Sequence, residues 1–522
     1  MDYVHRGFES RSLRTIYMYL IKKILFLITF SILVSEYNDT SIVSTYEIDS
    51  EAILIPDYGN DELDFEIEFL NKKRNFFLYT NIGYLVEQNS TIINISPILN
   101  YKNFKFKMNI DYLFDSDPIN YNNNWKNAYD FLERIEYLKL FLFNNRLNIS
   151  FGEIKNFSFG PGHLVSNYNN SFKFPNIRNI GLQLNYRNSN NSVTHDFFIS
   201  SLRDLSNNGG LMGNRITFLY SKSFPLRLGL GHIIDFNQLS TYNDNTLNIK
   251  RKISAFEFDI NFPLLKTFDE KIFLFGELSA IDFPEKRYYK RVDDSEFTND
   301  KKSRNGIWGI AFPGIKYINS FIEIDISLNY NSAIYAPFYF NSTYDFEKIR
   351  YREYNILENE ILYQDEAELL SLFSTSDSTI FIPKDMYGMI NQSENTYPTY
   401  GFSSAFKFKF NKDNQVHLSY SYFKNISDID DSFYNSVALN YVMNKKLIFF
   451  PTKLEIYFSK NFFKIKESYQ NNENLIYGLN LNMLLYKSFS LEGELKHTFY
   501  DINFDGKIDL VPYVNIGLNY KY

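Results

Sequence analysis

Five carboxylates crowd one stretch of this chain: Glu358, Glu360, Asp365, Glu366 and Glu368 are interleaved with Ile361, Leu362, Leu369, Leu370 and Phe373. The apolar residues recur at helical spacing, so a short amphipathic helix is expected within Asn355 to Phe373. Such acids can do two things. On a loop folded into a pore they narrow it and favour cations; on an outer cap they are merely solvated. A second oxygen-rich run, Asp501, Asn503 and Asp505 before Gly506, matches the first half of a calcium loop, where oxygens at alternate positions surround the ion. Its twelfth position is Pro512 rather than a bidentate Glu, so an Asp-Gly hairpin loop is the expectation and structural calcium the alternative. Catalysis is poorly provided for. The 6 histidines show no metal-ligand spacing, and no nucleophile elbow or carboxylate dyad stands out. Cysteine is absent, which removes thiol catalysis, Cys-zinc sites and disulfides. Neither an enzyme nor a resident cofactor is expected.

A third candidate is stiff rather than charged. Phe159-Gly160-Pro161-Gly162 places two glycines around a proline, a combination that imposes a tight, fixed backbone path. The Asn and aromatic side chains nearby, Tyr168 among them, could hydrogen-bond and stack on sugar rings; the alternative is a rigid inter-strand loop with no ligand. The run from Asn156 to Pro175 resembles the capsule-assembly outer-membrane barrel family, with Phe159 where that family is expected to carry Trp. That resemblance implies binding or assembly of a surface polysaccharide.

Such residues must be held by something, and the pattern around them is one of strands. From Leu510 to Tyr522 the even positions are Leu, Pro, Val, Ile, Leu, Tyr and Tyr, while Asn515, Gly517, Asn519 and Lys521 take odd ones. Alternate side chains point to opposite sheet faces, so one face can meet lipid and the other a wet lumen. Asn515, Gly517, Tyr520 and Tyr522 together resemble the C-terminal assembly signal of bacterial outer-membrane β-barrels. The same alternation recurs at Phe104 to Tyr112, Ile180 to Arg187, Ile322 to Asn329, Phe402 to Phe410 and Leu491 to Lys496. Composition agrees: 18 % aromatics, including 42 Tyr and 52 Phe, suit a wall with aromatic rims, although an AT-rich genome also enriches these residues. A net charge of -7, spread along the chain, leaves no nucleic-acid footprint.

Connection lengths point the same way. Short turns are expected at Lys102-Asn103, Asn144-Asn145, Asn188 to Asn191, Asn319-Ser320, Asn411 to Asn414 and Lys487-Ser488. Longer connections separate them, among them Asp115 to Asp130, Lys155 to Asn176, Arg203 to Met212, Asn237 to Lys250 and Asp282 to Arg304. Short periplasmic turns alternating with long extracellular loops is the asymmetry of a transmembrane antiparallel β-barrel. Its strands should number about 20 from Asn75 onward, or about 22 if Glu62 to Asn71 pairs with a weak strand near Ser44 to Ile55.

Upstream, Lys22-Lys23 and the apolar run Ile24 to Val34 read as a secretory signal with cleavage near Ser35, too short to span a membrane as a helix. The expected organisation is an N-terminal extension and signal peptide (1–35), an N-terminal segment or first weak strand (36–61), and a barrel (62–522) with a long insertion at 331–400. Expected partners are outer-membrane lipid, the barrel-assembly machinery and periplasmic chaperones, and a small solute or glycan. The expected function is a porin-like channel or transporter for small polar solutes in the outer membrane of a Gram-negative-type bacterium. A surface-polysaccharide barrel and a structural or adhesin-like barrel are the alternatives.

Overall fold

The computed structural model describes residues 76–85, 90–114, 131–171, 179–221, 224–238, 252–267, 269–283, 288–293, 296–300, 308–332, 335–353, 361–362, 374–376, 379–384, 398–411, 414–426, 433–447, 450–463, 475–486, 489–500 and 509–521. The wall consists of β1 (Phe76–Leu85), β2 (Ser90–Tyr101), β3 (Phe104–Met108 and Ile110–Phe114, interrupted at Asn109), β4 (Ile135–Leu142), β5 (Leu147–Gly152), β6 (Gly181–Arg187) and β7 (Val193–Ile199). It continues with β8 (Leu211–Leu219), β9 (Arg227–Asp235), β10 (Ile253–Lys266), β11 (Glu270–Asp282), β12 (Trp308–Asn319), β13 (Ile322–Asn331) and β14 (Thr399–Asn411). The last six are β15 (Asn414–Asn425), β16 (Phe433–Leu447), β17 (Phe450–Phe463), β18 (Leu475–Tyr486), β19 (Phe489–Tyr500) and β20 (Asp509–Lys521).

Each strand pairs antiparallel with the next in the chain, and β20 returns to β1 through Thr80↔Tyr520 and Tyr79↔Lys521. The result is a 20-strand barrel. β1 is thus paired with β2 on one edge and, through those two residue pairs, with β20 on the other, so the described strands form a nearly closed ring of 20. The expected signal segment, the Ser44 to Ile55 strand and Glu62 to Asn71 lie outside the described residues.

The alternation read in the sequence sorts side chains as expected. On β13, Ile326, Leu328 and Tyr330 are exposed on the outside while Ser327, Asn329 and Asn331 are buried within. On β20, Leu510, Ile516 and Leu518 are exposed and Val511 and Tyr513 are buried. Phe218, Leu230, Phe256, Leu278 and Ile315 extend this exposed apolar surface round the wall, a pattern that is stable only against hydrocarbon. Trp308, Tyr330 and Tyr400 rim its outer end; Phe143, Tyr220, Phe321, Phe410 and Tyr486 stand exposed at the short turns of the inner end. The strand from Phe321 to Tyr330 is about 30 Å long, or roughly 23 Å high at a tilt of ~40°, close to the ~25 Å apolar band of a barrel. Rings at those levels sit where a bilayer favours amphipathic aromatics.

Of the six inner turns named above, those at Lys102-Asn103, Asn144-Asn145, Asn188 to Asn191 and Asn319-Ser320 join their strands directly, as at Tyr101 to Phe104; residues 412–413 and 487–488 of the other two lie outside the described residues, between strands paired at Asn411↔Asn414 and Tyr486↔Phe489. At the outer end two connections fold inward: the one after β5, which was expected as an outer connection, and the first part of the long insertion after β13, for which a loop folded into the barrel was one of the two expected arrangements.

Candidate functional site: a plugged lumen above a polar vestibule

Inward folding follows from an apolar layer at the outer end of the lumen. Phe198 on β7, Leu211 on β8, Ile233 on β9, Ile253 on β10 and Ile281 on β11 all point inside and are buried. Water-facing loops would leave that layer wet; instead Ile154, Phe157, Phe159, Leu164, Val165 and Tyr168 of the first connection, and Tyr335, Tyr339, Phe340 and Tyr344 of the insertion, complete one hydrophobic cluster with it. The two segments are joined by the parallel pairing of Val165–Ser166 with Phe340–Asn341 and by the Phe338 N–H donating to the His163 carbonyl at 2.7 Å.

Polar groups fasten this plug to the wall. Glu277 on β11 accepts from the backbone N–H groups of His163 (2.8 Å) and Leu164 (2.9 Å), fixing the chain just after Gly160-Pro161-Gly162. Tyr344, in the short helix α2 (Tyr344–Glu347), donates to Asp235 at 2.7 Å, and Tyr168 donates to Asp345 at 2.9 Å. Lys348 reaches Asp204 at 3.0 Å, on helix α1 (Leu202–Ser206) between β7 and β8. Burial opposes the Lys348 charge, but Asp204, Asp345 and Asp235 outweigh it and hold the ammonium above its ordinary pKa. Burial has the last word for His163: its ring, stacked on Tyr335 at 5.4 Å, is lowered to a pKa of about 4, partly offset by the Asn331 side chain.

The proline-flanking glycines have a geometric reason. Gly160 (φ +48°) and Gly162 (φ +89°) are left-handed, and a Cβ on Gly160 would meet the Asp259 carboxylate at 3.0 Å. Gly160, Pro161 and Gly162 form part of the ceiling of a cavity below. Phe159 and Tyr168, the expected stacking platforms, are 1 % and 0 % exposed. Their rings pack on Phe198 rather than presenting a face to a ligand.

Beneath the plug, Arg215 on β8 is buried among three carboxylates: Asp259 (2.8 Å), Glu257 (3.2 Å) and Asp196 (3.8 Å). Asp259 and Glu257 belong to β10, so the guanidinium must cross the lumen face of β9. That face carries Gly229 and Gly231; a Cβ on Gly229 would lie 1.9 Å from Asp259 Oδ2, and one on Gly231 2.5 Å from Glu257 Cγ. The two missing side chains are the channel through which the charge network passes.

Below lies a cavity of about 840 Å³ inside the barrel. Its wall is polar: Ser327, Ser403, Ser419, Ser421 and Ser436 line one side, with Asn81, Asn94, Asn109, Asn440 and Asn480 elsewhere. Charges are mixed and paired, as in Lys107–Glu136 (3.0 Å), Arg134–Asp111 (2.7 Å) and Lys316–Glu323 (2.8 Å). This surface can hold water and small polar solutes through hydroxyl and amide contacts, with no single excess charge.

Of the acidic segment, Glu358, Glu360, Asp365, Glu366 and Glu368 lie outside the described residues. Within it Ile361–Leu362 is extended and pairs with Tyr289 and Lys290, so the backbone there is not the expected helix; a two-residue bridge to another outer loop outweighs a local apolar period. Asp501, Asn503 and Asp505 also lie outside the described residues. Asn515, Gly517 and Tyr520 fall in β20 at the closing seam, where a Cβ on Gly517 would lie 1.6 Å from the Asn81 side chain; Tyr522 lies outside the described residues. Arg215, Glu257, Asp259 and Glu277 were not among the expected site residues. The available signal was Gly229-Leu230-Gly231, two glycines on one face of a strand beside charged inward positions on its neighbours.

No protein-family model matches the chain, and no curated protein matches it in sequence. Among solved structures it is similar to three outer-membrane β-barrels. Wzi from Escherichia coli, described as a carbohydrate-binding β-barrel involved in group 1 capsule assembly, is 10 % identical with a TM-score of 0.35, over 88 % of this chain and 86 % of that one. The FrpB iron transporter from Neisseria meningitidis is 9 % identical with a TM-score of 0.35, over 87 % and 82 %. OpdK from Pseudomonas aeruginosa, solved with vanillate, is 6 % identical with a TM-score of 0.32, over 86 % and 97 %. Likeness this distant assigns no ligand.

Proposed function

We propose that this chain is an outer-membrane conduit for small polar solutes in which a fixed plug leaves only a narrow route. The observation that carries this reading is the pair of inserted segments packed in the outer half of the lumen above an 840 Å³ polar cavity. A wide diffusion pore needs an unobstructed lumen. Here the plug is built like a protein core, with Phe159, Leu164, Tyr168, Phe340 and Tyr344 at 0–1 % exposure, so wholesale displacement would expose an entire apolar cluster. Solutes therefore enter the vestibule freely and pass the plug slowly. The mixed Lys, Arg, Asp and Glu lining favours hydrated, polar molecules over apolar ones.

Planar-bilayer recording tests the reading. The native barrel should give small, stable conductance steps, and replacing Leu164 by Asp should enlarge them by disrupting the plug core. Large ohmic steps from the native protein would overturn the plugged conduit. Absence of both conductance and solute-driven liposome swelling would remove transport altogether and leave a binding or structural barrel.

A further inference from the structure

The registers of β13, β14 and β15 set out three levels of the lumen face. In the vestibule Ser327, Ser403 and Ser421 stand side by side, and Ser436 of β16 extends the row. One inward position higher come Asn329, Gly401 and Phe423; one higher again, at the outer end, come Asn331, Thr399 and Asn425. Inward positions on a strand are about 6.6 Å apart, so about 13 Å of wall separates the serine row from the outer end. Hydrogen bonds link neighbouring strands along the way: Asn329 Nδ2 donates to Ser403 Oγ at 2.9 Å, and Asn331 Nδ2 to Thr399 Oγ1 at 3.1 Å. Apart from Phe423, small and polar side chains therefore continue upward past the plug on this side, whereas β7–β11 meet it with an apolar layer.

A ring of the plug meets this strip. Phe338 packs on Phe423 with centroids 6.0 Å apart, and it also borders the vestibule. Gly401, directly opposite Phe423, adds no side chain there. The Phe338 backbone is left-handed (φ +54°), a conformation that a bulky residue keeps only when its surroundings impose it, and its N–H donates to the His163 carbonyl at 2.7 Å. The turn is thus fixed, while the half-buried ring has the cavity beside it to rotate into. Polar groups around it are left unsatisfied. Asn329 and Asn331 are 4 % and 0 % exposed, yet their Oδ1 atoms accept no hydrogen bond among the described residues. Both ring nitrogens of His163, which meets Phe338 edge-on, are likewise unpartnered. Buried polar atoms without partners oppose the closed arrangement, and water or a polar solute admitted by rotation of the ring would satisfy them.

We propose that solutes pass the plug along this strip of β13–β15 and that Phe338 is its gate, lying on Phe423 when closed and turning into the vestibule when open; this rests on the conduit reading. In planar bilayers Phe338→Ala should enlarge the conductance steps of the native barrel. Unchanged steps in Phe338→Ala, where Leu164→Asp enlarges them, would overturn the gate and leave the conduit standing. Silence in the native protein and in both variants would remove the conduit, and the gate with it.

A second readout needs no transport. The chain contains no cysteine, so a single thiol at Asn329→Cys reports on the strip alone. Its reaction with a methanethiosulfonate reagent, on the full chain in detergent, should be slow with Phe338 present and roughly tenfold faster in Phe338→Ala, since local opening limits the labelling of a buried thiol. Ser279→Cys, buried on β11 against Tyr335, should stay slow in both backgrounds. Should Asn329→Cys fail to fold, Asn331→Cys serves in its place. Equal labelling with and without the Phe338 ring would overturn the proposal, as would a matching rise at Ser279→Cys, which would mean that the plug as a whole had loosened.

Discussion

Arg215 on β8 makes a two-point contact with Asp259 on β10, Nη2 to Oδ1 at 2.9 Å and Nε to Oδ2 at 3.1 Å, although the whole of β9 separates their backbones. Antiparallel neighbours alone cannot produce this. It requires the lumen face of β9 to be empty at Gly229 and Gly231, directly opposite Asp259 and Glu257. The network sits between the vestibule and the plug, and through Asp259 it abuts Gly160. Wall charge and plug backbone are therefore one mechanical unit.

Filling the gap should break that unit. Gly229→Val puts side-chain atoms where Asp259 Oδ2 now lies, forcing Arg215 from its partner and leaving buried charge uncompensated, at a cost on the order of 3 to 5 kcal/mol. Arg215→Met should cost a similar amount, while the double variant Arg215→Met with Asp259→Leu removes both charges and should recover much of it. Urea midpoints in detergent, read by the unfolded band on unheated gels, give the comparison. Equal destabilisation in the double and single variants would show that the network contributes little beyond packing.

Acid should loosen the plug through His163. Its folded-state pKa is about 4, against 6.5 for the free ring, because burial disfavours the imidazolium. The unfolded or unpacked segment thus binds the proton more readily than the plug does. Stability is fully present above pH 6.5 and falls as pH drops from there to about 4, by up to about 3 kcal/mol. Protease accessibility of the Ile154 to Ser171 segment should rise over that window in the native protein and stay level in His163→Phe, which keeps the stacking on Tyr335. A rise that persists in His163→Phe would assign the effect to other groups.

The two faces of β13 should differ in tolerance. Ile324 points to lipid, and Arg there costs on the order of 2 to 4 kcal/mol near the midplane. Asp325 lines the vestibule, within 3.9 Å of Lys316, so Asp325→Arg introduces repulsion that water in the cavity can screen. Yields of heat-modifiable barrel should fall for Ile324→Arg and hold for Asp325→Arg. Equal loss in both would mean that this strand's register is other than described.

The wall was legible in the sequence because each strand repeats a two-residue period that water and lipid both enforce, as at Ile322 to Asn329. Turn positions such as Asn144-Asn145 were legible for a related reason, since short links join adjacent strands at the inner end. The plug was half legible. Gly160-Pro161-Gly162 announced a fixed path, but nothing local in Phe159 or Tyr168 distinguishes a ring offered to a sugar from one buried against Phe198. That distinction depends on residues from β7 to β11, whose inward apolar layer becomes visible only when the strands are aligned. Arg215 and its carboxylates were hidden for the same reason: their contacts skip a strand, and no spacing along the chain encodes them.

Charge selectivity is the remaining question, and the acidic segment gives it a sharp test. The insertion enters the lumen with Tyr335, Tyr339, Phe340 and Tyr344, so the acids that follow are tethered to the plug at Lys348, Glu358 within a reach of roughly 35 Å and Glu368 within roughly 70 Å. If Glu358, Glu360, Asp365, Glu366 and Glu368 border the route past the plug, changing all five to Gln removes negative charge from a confined, poorly screened space. Cation preference should then fall, most strongly at low salt, where the Debye length grows from about 10 Å at 0.1 M to about 30 Å at 0.01 M. If they crown the outside, bulk water screens them and selectivity should hardly change. Reversal potentials across a salt gradient, recorded at both ionic strengths for the native and five-fold variant proteins, separate the two arrangements: an unchanged value at low salt places the acids away from the route.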